Sequence, residues 1–148
     1  MNALPYLPAG KTIAYVKEDH EFMQAAKQAA HALSFDPKHP IGAVIVKNGV
    51  IIGQGANGSV FHHWLGCLRK LLKIPTGKGY WLCPGCQPRH HAEPSALKAV
   101  QRDGIEVSGA DMYLWGHWWC CQACWEKMIK AGINQVYLVE DAQQKFGG

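Results

Sequence analysis

Three cysteines fall within five positions of the stretch HWWCCQACW, His117 to Trp125: Cys120, Cys121 and Cys124. A second C-x-x-C pair, Cys83 and Cys86, lies in CPGC, and Cys67 completes a set of six. In a reducing compartment such pairs bind metal or do redox work more often than they form staples. A helix starting near Cys121 would carry Cys121 and Cys124 on one face, because residues three apart are neighbours there. The N-terminus of a helix also favours a thiolate. One histidine added to two thiolates makes three protein ligands, and zinc with three protein ligands keeps a fourth position open, as catalytic sites require. His91, in His91-Ala92-Glu93, opens a second helical pattern. Zinc lowers the pKa of its water to about 7, and Glu93, two residues from His91, is placed to move the protons. That combination suits hydrolysis at an electrophilic carbon.

The elements that must position these groups can be read from periodicity. Asp19 to Leu33 is expected to be a helix, with Phe22, Ala26, Ala29, Ala30 and Leu33 on one face. DPKHP ends it. IGAVIV and VIIGQGA flank Lys47-Asn48-Gly49, which predicts an antiparallel hairpin. A second helix is expected from His91 to about Arg102, with Ala96, Leu97 and Val100 as anchors and Pro94 in its first turn. ADMYLWG reads as a strand, Cys121 to Ala131 as a helix capped by Gly132, and INQVYLVE as a further strand. The strand–helix–strand order predicts a parallel pair beside the hairpin, hence a mixed sheet. The N-terminal residues read as a proline-containing lead-in, and DAQQKFGG as a frayed tail or a short final element. Residues 1–148 are expected to form a single domain, with a Cys/His-rich basic loop at about 58–90.

Composition bounds the function. Hydrophobic residues make up 48% of the 148 positions and charged residues 18%, which excludes a disordered chain. No apolar run approaches membrane-spanning length, and MNALPYLPAG lacks the basic and apolar stretches of a secretory signal. A cytoplasmic protein with no membrane partner is therefore expected. The net charge of +4 is too mild to call for nucleic acid. From Phe61 to His90, however, there is no acidic residue, while Arg69, Lys70, Lys73, Lys78 and Arg89 all fall there. That segment is either a solvated basic loop or a site for an anionic ligand such as a nucleotide phosphate.

His91-Ala92-Glu93 followed about 30 residues later by C-x-x-C resembles the zinc-dependent cytidine deaminase superfamily, whose H-x-E…P-C-x-x-C signature is well known. The resemblance runs from about Ile41 to Glu140. It implies a three-layer α/β/α cytidine-deaminase-like fold and a homo-oligomer of such domains. It also implies a catalytic Zn2+ on His91, Cys121 and Cys124, Glu93 as the proton shuttle, and a backbone contact from Ala92 to the base. GANG, Gly55 to Gly58, with Gly66-Cys67 downstream, is similar to the deoxycytidylate deaminase branch, in which the residue matching Asn57 contacts the sugar. The implied substrate is a cytosine nucleotide, most simply deoxycytidylate.

Two departures from the pattern stand out. Cys120 occupies the position where proline usually precedes the first ligand, and Ser95 occupies one where asparagine is frequent. Cys120 shares a helix face with Cys124 at four-residue spacing, so it competes with Cys121 as a ligand. The C-x-x-C spacing favours Cys121 and leaves Cys120 as a small buried side chain. Cys83, Cys86 and His90, with Cys67 or one of His62 and His63, are candidates for a second, structural zinc. Among the tryptophans Trp115, Trp118 and Trp119, one could stack on a base. Two rival readings remain. One is deamination of another base or nucleoside: guanine, cytidine, cytosine or tRNA adenosine. The other is a non-catalytic module in which Cys83, Cys86, Cys121 and Cys124 close one zinc site and His91 plays no part.

Overall fold

Asn48 and Gly49 take positive φ values of 53° and 76°, the conformation a two-residue hairpin turn demands. They join β2 (Gly42–Lys47) to β3 (Val50–Ala56) as an antiparallel pair, as expected. The computed structural model describes residues 4–34, 38–58 and 91–147. Within them the other strands are β1 (Ile13–Val16), β4 (Asp111–Trp115) and β5 (Gln135–Val139). The helices are α1 (Glu21–Leu33), α2 (Ala92–Arg102), α3 (Gln122–Ala131) and α4 (Ala142–Phe146).

The five strands form one sheet in the order β1-β5-β4-β2-β3. β4 lies parallel to β5 and β5 parallel to β1, while β2 is antiparallel to both β4 and β3. The sheet is mixed, and α3 is the crossover between the parallel strands β4 and β5. Side chains alternate across it, as strand geometry requires. Val44, Val46, Tyr113 and Trp115 pack with Met23, Ala26 and Ala30 of α1. Ala43, Ile45, Met112 and Leu114 pack on the other face, with Ala96, Leu97 and Val100 of α2 and Cys124, Trp125 and Met128 of α3. The result is three layers, helix on sheet on helix.

Glycine on the strands lets the helices come close. A Cβ at Gly42 would run into the backbone of Ala26 and Ala30. Gly53 and Gly55 of β3 lie under α2, where a Cβ would meet Val100 and the backbone of Ser95 and Ala96 respectively. α2 is thus seated on the strand backbone itself, with its first turn at the carboxyl end of β3.

Three expectations are corrected. The lead-in contains β1, a four-residue strand at the sheet edge; at that length Ile-Ala-Tyr-Val gives too little alternation to read. Helix α1 begins at Glu21 rather than Asp19, because His20 is its N-cap and its Nδ1 accepts from the N–H of Phe22 at 3.2 Å. Leu33, expected on the buried face, is exposed, and Met23 is fully buried instead. Gly132 caps α3 in the left-handed conformation, as read from the sequence. The tail is a short helix, α4, whose Phe146 packs edge-on against Trp115.

Candidate active site

The starts of α2 and α3 and the carboxyl ends of β3 and β4 meet at one end of the sheet. Helix starts commonly carry Ser, Thr, Asp or Asn as caps. Here the N-cap residues are His91 and Cys121, and neither side chain caps its helix. They turn to each other instead. His91 Nδ1 lies 3.3 Å from Cys124 Sγ and 3.6 Å from Cys121 Sγ, and the two sulfurs are 3.3 Å apart. Among the described residues this is a group of three donors able to share one ion.

Zinc suits the set. With bonds of about 2.3 Å to sulfur and about 2.0 Å to nitrogen, a tetrahedral ion holds its ligand atoms roughly 3.6–3.8 Å apart. The observed triangle is within a few tenths of an ångström of that, before any ion draws it into shape. Two sulfurs and an imidazole are also the donors zinc prefers. Electrostatics favours the same end state. The hydrogen bond that Cys121 shares with Cys124 brings the Cys121 thiol down to about 4, with further help from His91, and pushes Cys124 in the opposite direction. One thiolate is therefore ready before metal arrives, and metal binding displaces the second proton.

Glu93 is buried, with 5% of its surface exposed, and is the one buried charged side chain among the described residues. Burial raises its pKa above the ordinary 4.5, and the negative charge of Cys121 adds to the effect, while His91 opposes it. A carboxyl raised toward neutrality is suited to both accepting and returning a proton. Cys120, 1% exposed, stands outside the group of three; burial first, and the Glu93 carboxyl after it, push its thiol well above the ordinary range. The competition between Cys120 and Cys121 is decided by the fold: only Cys121 joins His91 and Cys124.

Ala92, buried, begins α2 between the histidine and the glutamate. Asn57 closes the end of β3. Its Oδ1 accepts from Ser34 Oγ at 2.6 Å and from the Ile41 N–H at 2.8 Å, and its Nδ2 donates to the His39 carbonyl at 3.0 Å. Asn57 thereby pins the segment between α1 and β2 to the sheet, a role that its sequence context as a turn residue did not reveal. Cys67, Cys83, Cys86 and His90, together with His62, His63 and the basic residues from Arg69 to Arg89, lie outside the described residues.

The loop from β4 to Cys121 has its own brace. Gly116, at φ 102°, passes close to the backbone of Pro40 and Ile41. His117 Nδ1 then lies 2.6 Å from the Trp119 carbonyl oxygen and 3.2 Å from the Trp119 N–H, which ties the ring to the backbone two residues on. Burial lowers the His117 pKa to about 4, so the ring is neutral. Trp115 and Trp119 are buried as core, and Trp118 is half-buried against the α2–α3 side.

Comparison with known proteins bears on the family and the fold. The sequence pattern of the "cytidine and deoxycytidylate deaminase zinc-binding region" matches residues 16–140. ComE operon protein 2 of Bacillus subtilis (strain 168) is 29% identical over 126 residues, covering 82% of this chain and 59% of that protein. The chain thus spans about 59% of that relative's length. The dCMP deaminase of cyanophage S-TIM5 in its apo form has the same fold, with a TM-score of 0.52 and 22% identity, over 85% of this chain and 86% of its own. Its complex with dCMP and dUMP superposes equally well, with a TM-score of 0.52 and 21% identity, over 85% and 89%.

Proposed function

Because the chain belongs to the cytidine and deoxycytidylate deaminase zinc-binding family, we propose that it removes the exocyclic amine of a cytosine nucleotide by hydrolysis, with deoxycytidylate as substrate. One observation carries the reading: His91, Cys121 and Cys124 converge beside a buried Glu93. Four-cysteine closure, the rival reading, needs no histidine in that place.

In this reaction a water oxygen adds to the amino-bearing ring carbon, and ammonia leaves. Zinc held by His91, Cys121 and Cys124 supplies, when bound, a Lewis acid that makes water nucleophilic at neutral pH. Glu93 supplies the proton traffic. One carboxylate oxygen takes a proton from the water and returns it to the ring nitrogen; the same oxygen then takes the proton of the hydroxyl newly added to the ring carbon and gives it to the amine, so that the carbon–oxygen bond becomes a carbonyl as ammonia departs. Burial favours the neutral acid that each return step needs. The N–H of Ala92, in the first turn of α2, has no partner within its helix and is directed toward ligands bound at that end, where it would hold the base. Asn57 Nδ2 has a second hydrogen to offer a sugar hydroxyl. The acid-free run from Phe61 to His90 supplies positive charge for a phosphate. A second, structural zinc on Cys67, Cys83, Cys86 and His90, a single domain and a homo-oligomeric assembly belong to the same reading.

The test is ammonia release by the zinc-loaded chain from deoxycytidylate, cytidylate, deoxycytidine, cytidine, cytosine, guanine and a tRNA anticodon stem carrying adenosine. Turnover confined to deoxycytidylate is the expected result. Turnover of another member alone moves the reading to that substrate, and silence across the set refutes it.

A further inference from the structure

Asn57 is held from two sides. Its backbone N–H donates to the Ile41 carbonyl at 3.1 Å and its Oδ1 accepts from the Ile41 N–H at 2.8 Å, so the side chain extends the ladder where β3 ends. Its Nδ2 donates to the His39 carbonyl at 3.0 Å. Those contacts come from the stretch just ahead of β2. The other side is α1: Ser34, the residue that ends the helix, donates from Oγ to the same Oδ1 at 2.6 Å. Ser34 Oγ also lies 3.3 Å from the Asn57 backbone carbonyl oxygen, but a hydroxyl has a single hydrogen and the shorter contact takes it. The helix end reaches Asn57 because α1 rests on Gly42, where a Cβ would strike Ala26 and Ala30, and Gly42 pairs with Ala56, the neighbour of Asn57.

We propose that Ser34 is a positioning residue for Asn57: it holds the amide so that only an N–H faces the ligand, and the group received is therefore an acceptor, the oxygen of a sugar hydroxyl. An amide has two lone pairs on its oxygen and two hydrogens on its nitrogen. Ser34 and Ile41 take both lone pairs, and His39 takes one hydrogen. The second Nδ2 hydrogen has no partner among the described residues. Turning the amide over would set its nitrogen against the Ile41 N–H and its oxygen against the His39 carbonyl, so the orientation is fixed. Ser34 is the contact that ties the amide to a helix. Without it the amide follows the stretch ahead of β2, and Oδ1 regains a lone pair. The place suits a ligand contact, since Asn57 stands two residues beyond Gly55, where β3 meets the backbone of Ser95, itself two residues from Glu93. The inference rests on the deaminase reading for the identity of the ligand, and on the Ser34–Asn57 bond for its substance.

Two measurements on the full, zinc-loaded chain test this. The first needs no substrate: the NMR order parameter of the Asn57 side-chain amide in isotope-labelled protein, its signals identified by their loss in Asn57→Asp. It should match rigid backbone, about 0.85, in the wild type, fall toward about 0.6 in Ser34→Ala, and recover in Ser34→Thr, which keeps the hydroxyl. The second compares turnover of deoxycytidylate with that of dideoxycytidylate, which has no sugar hydroxyl. The wild type should favour deoxycytidylate about tenfold in kcat/KM, through KM, the upper range for one neutral hydrogen bond. Ser34→Ala should cut that preference to about twofold, and Ser34→Thr should restore it. A general loosening of the fold would slow both nucleotides alike and leave their ratio unchanged. An order parameter as high in Ser34→Ala as in the wild type overturns the clamp, and an unchanged ratio overturns the positioning role. A wild type that does not tell the two nucleotides apart overturns the sugar contact. A wild type silent on every nucleotide overturns the deaminase reading instead, and the order parameter then judges the clamp by itself.

Discussion

Glu93 and His117 show two uses of burial around one cluster. Glu93 is kept from water, which pushes its carboxyl above the ordinary 4.5. Glu93→Gln should therefore keep fold and zinc and lose turnover by about 10²–10⁴, the usual worth of a general acid–base group; circular dichroism, metal analysis and ammonia release read the three quantities. His117 is half-buried, and loss of solvent keeps it neutral. Its folded pKa of about 4 lies below the ordinary 6.5. Between those values the unfolded chain binds a proton that the folded chain refuses, so stability falls as the pH drops from about 6.5 to about 4 and is level below that. Replacing His117 with Gln should flatten that part of the stability profile, measured by urea unfolding at a series of pH values. The His117 imidazole resonances of the native protein should show no titration between pH 5 and 8.

Two helices and the backbone beneath them set the site's geometry. His91 and Cys121 are N-caps that give up capping, which typically costs about 1 kcal/mol per helix; the α2 and α3 ends are held by packing against the sheet instead. The seat of α2 is Gly55, where any Cβ would strike the backbone of Ser95 and Ala96, two and three residues beyond Glu93. Helix backbone cannot yield as a flexible side chain does. Gly55→Ala should destabilise the chain by about 1–3 kcal/mol, as overpacking does, and weaken zinc binding by displacing His91. Urea unfolding with and without zinc separates the two effects. Loss of stability with undiminished zinc affinity would mean that α2 does not set the position of His91.

At the scale of the molecule, the described core is apolar packing on the two faces of the sheet. Apolar clusters cover both faces of the sheet, and the hairpin and the parallel β4–β5 pair join its strands, with one register shift in the hairpin between Ile45 and Val46. Zinc removal, by chelation or by His91→Ala, should therefore leave the far-ultraviolet circular dichroism close to native and lower Tm by the binding free energy that mass action supplied. Global unfolding on chelation would favour a closed structural zinc site. Among the described residues no helix is long and apolar enough to cross a membrane.

Much of this was legible in one dimension, and the reason is locality. The hairpin follows from Asn48-Gly49, the end of α3 from Gly132, and the paired thiols from a three-residue spacing on a helix; each depends on neighbours in the chain. The histidine–cysteine–cysteine set was legible because its two halves each sit at a helix start, with recognisable composition. What the chain alone left open depends on segments far apart in sequence. Strand β1 exists because β5, more than 100 residues away, offers a parallel edge. Asn57 is a clamp only because the segment after α1 returns to it. Cys120 and Cys121 are adjacent and chemically identical, so sequence could only rank them. Tertiary structure divides them, since the meeting of α2 and α3 sets the Cys121 sulfur beside His91 and buries Cys120 outside that group.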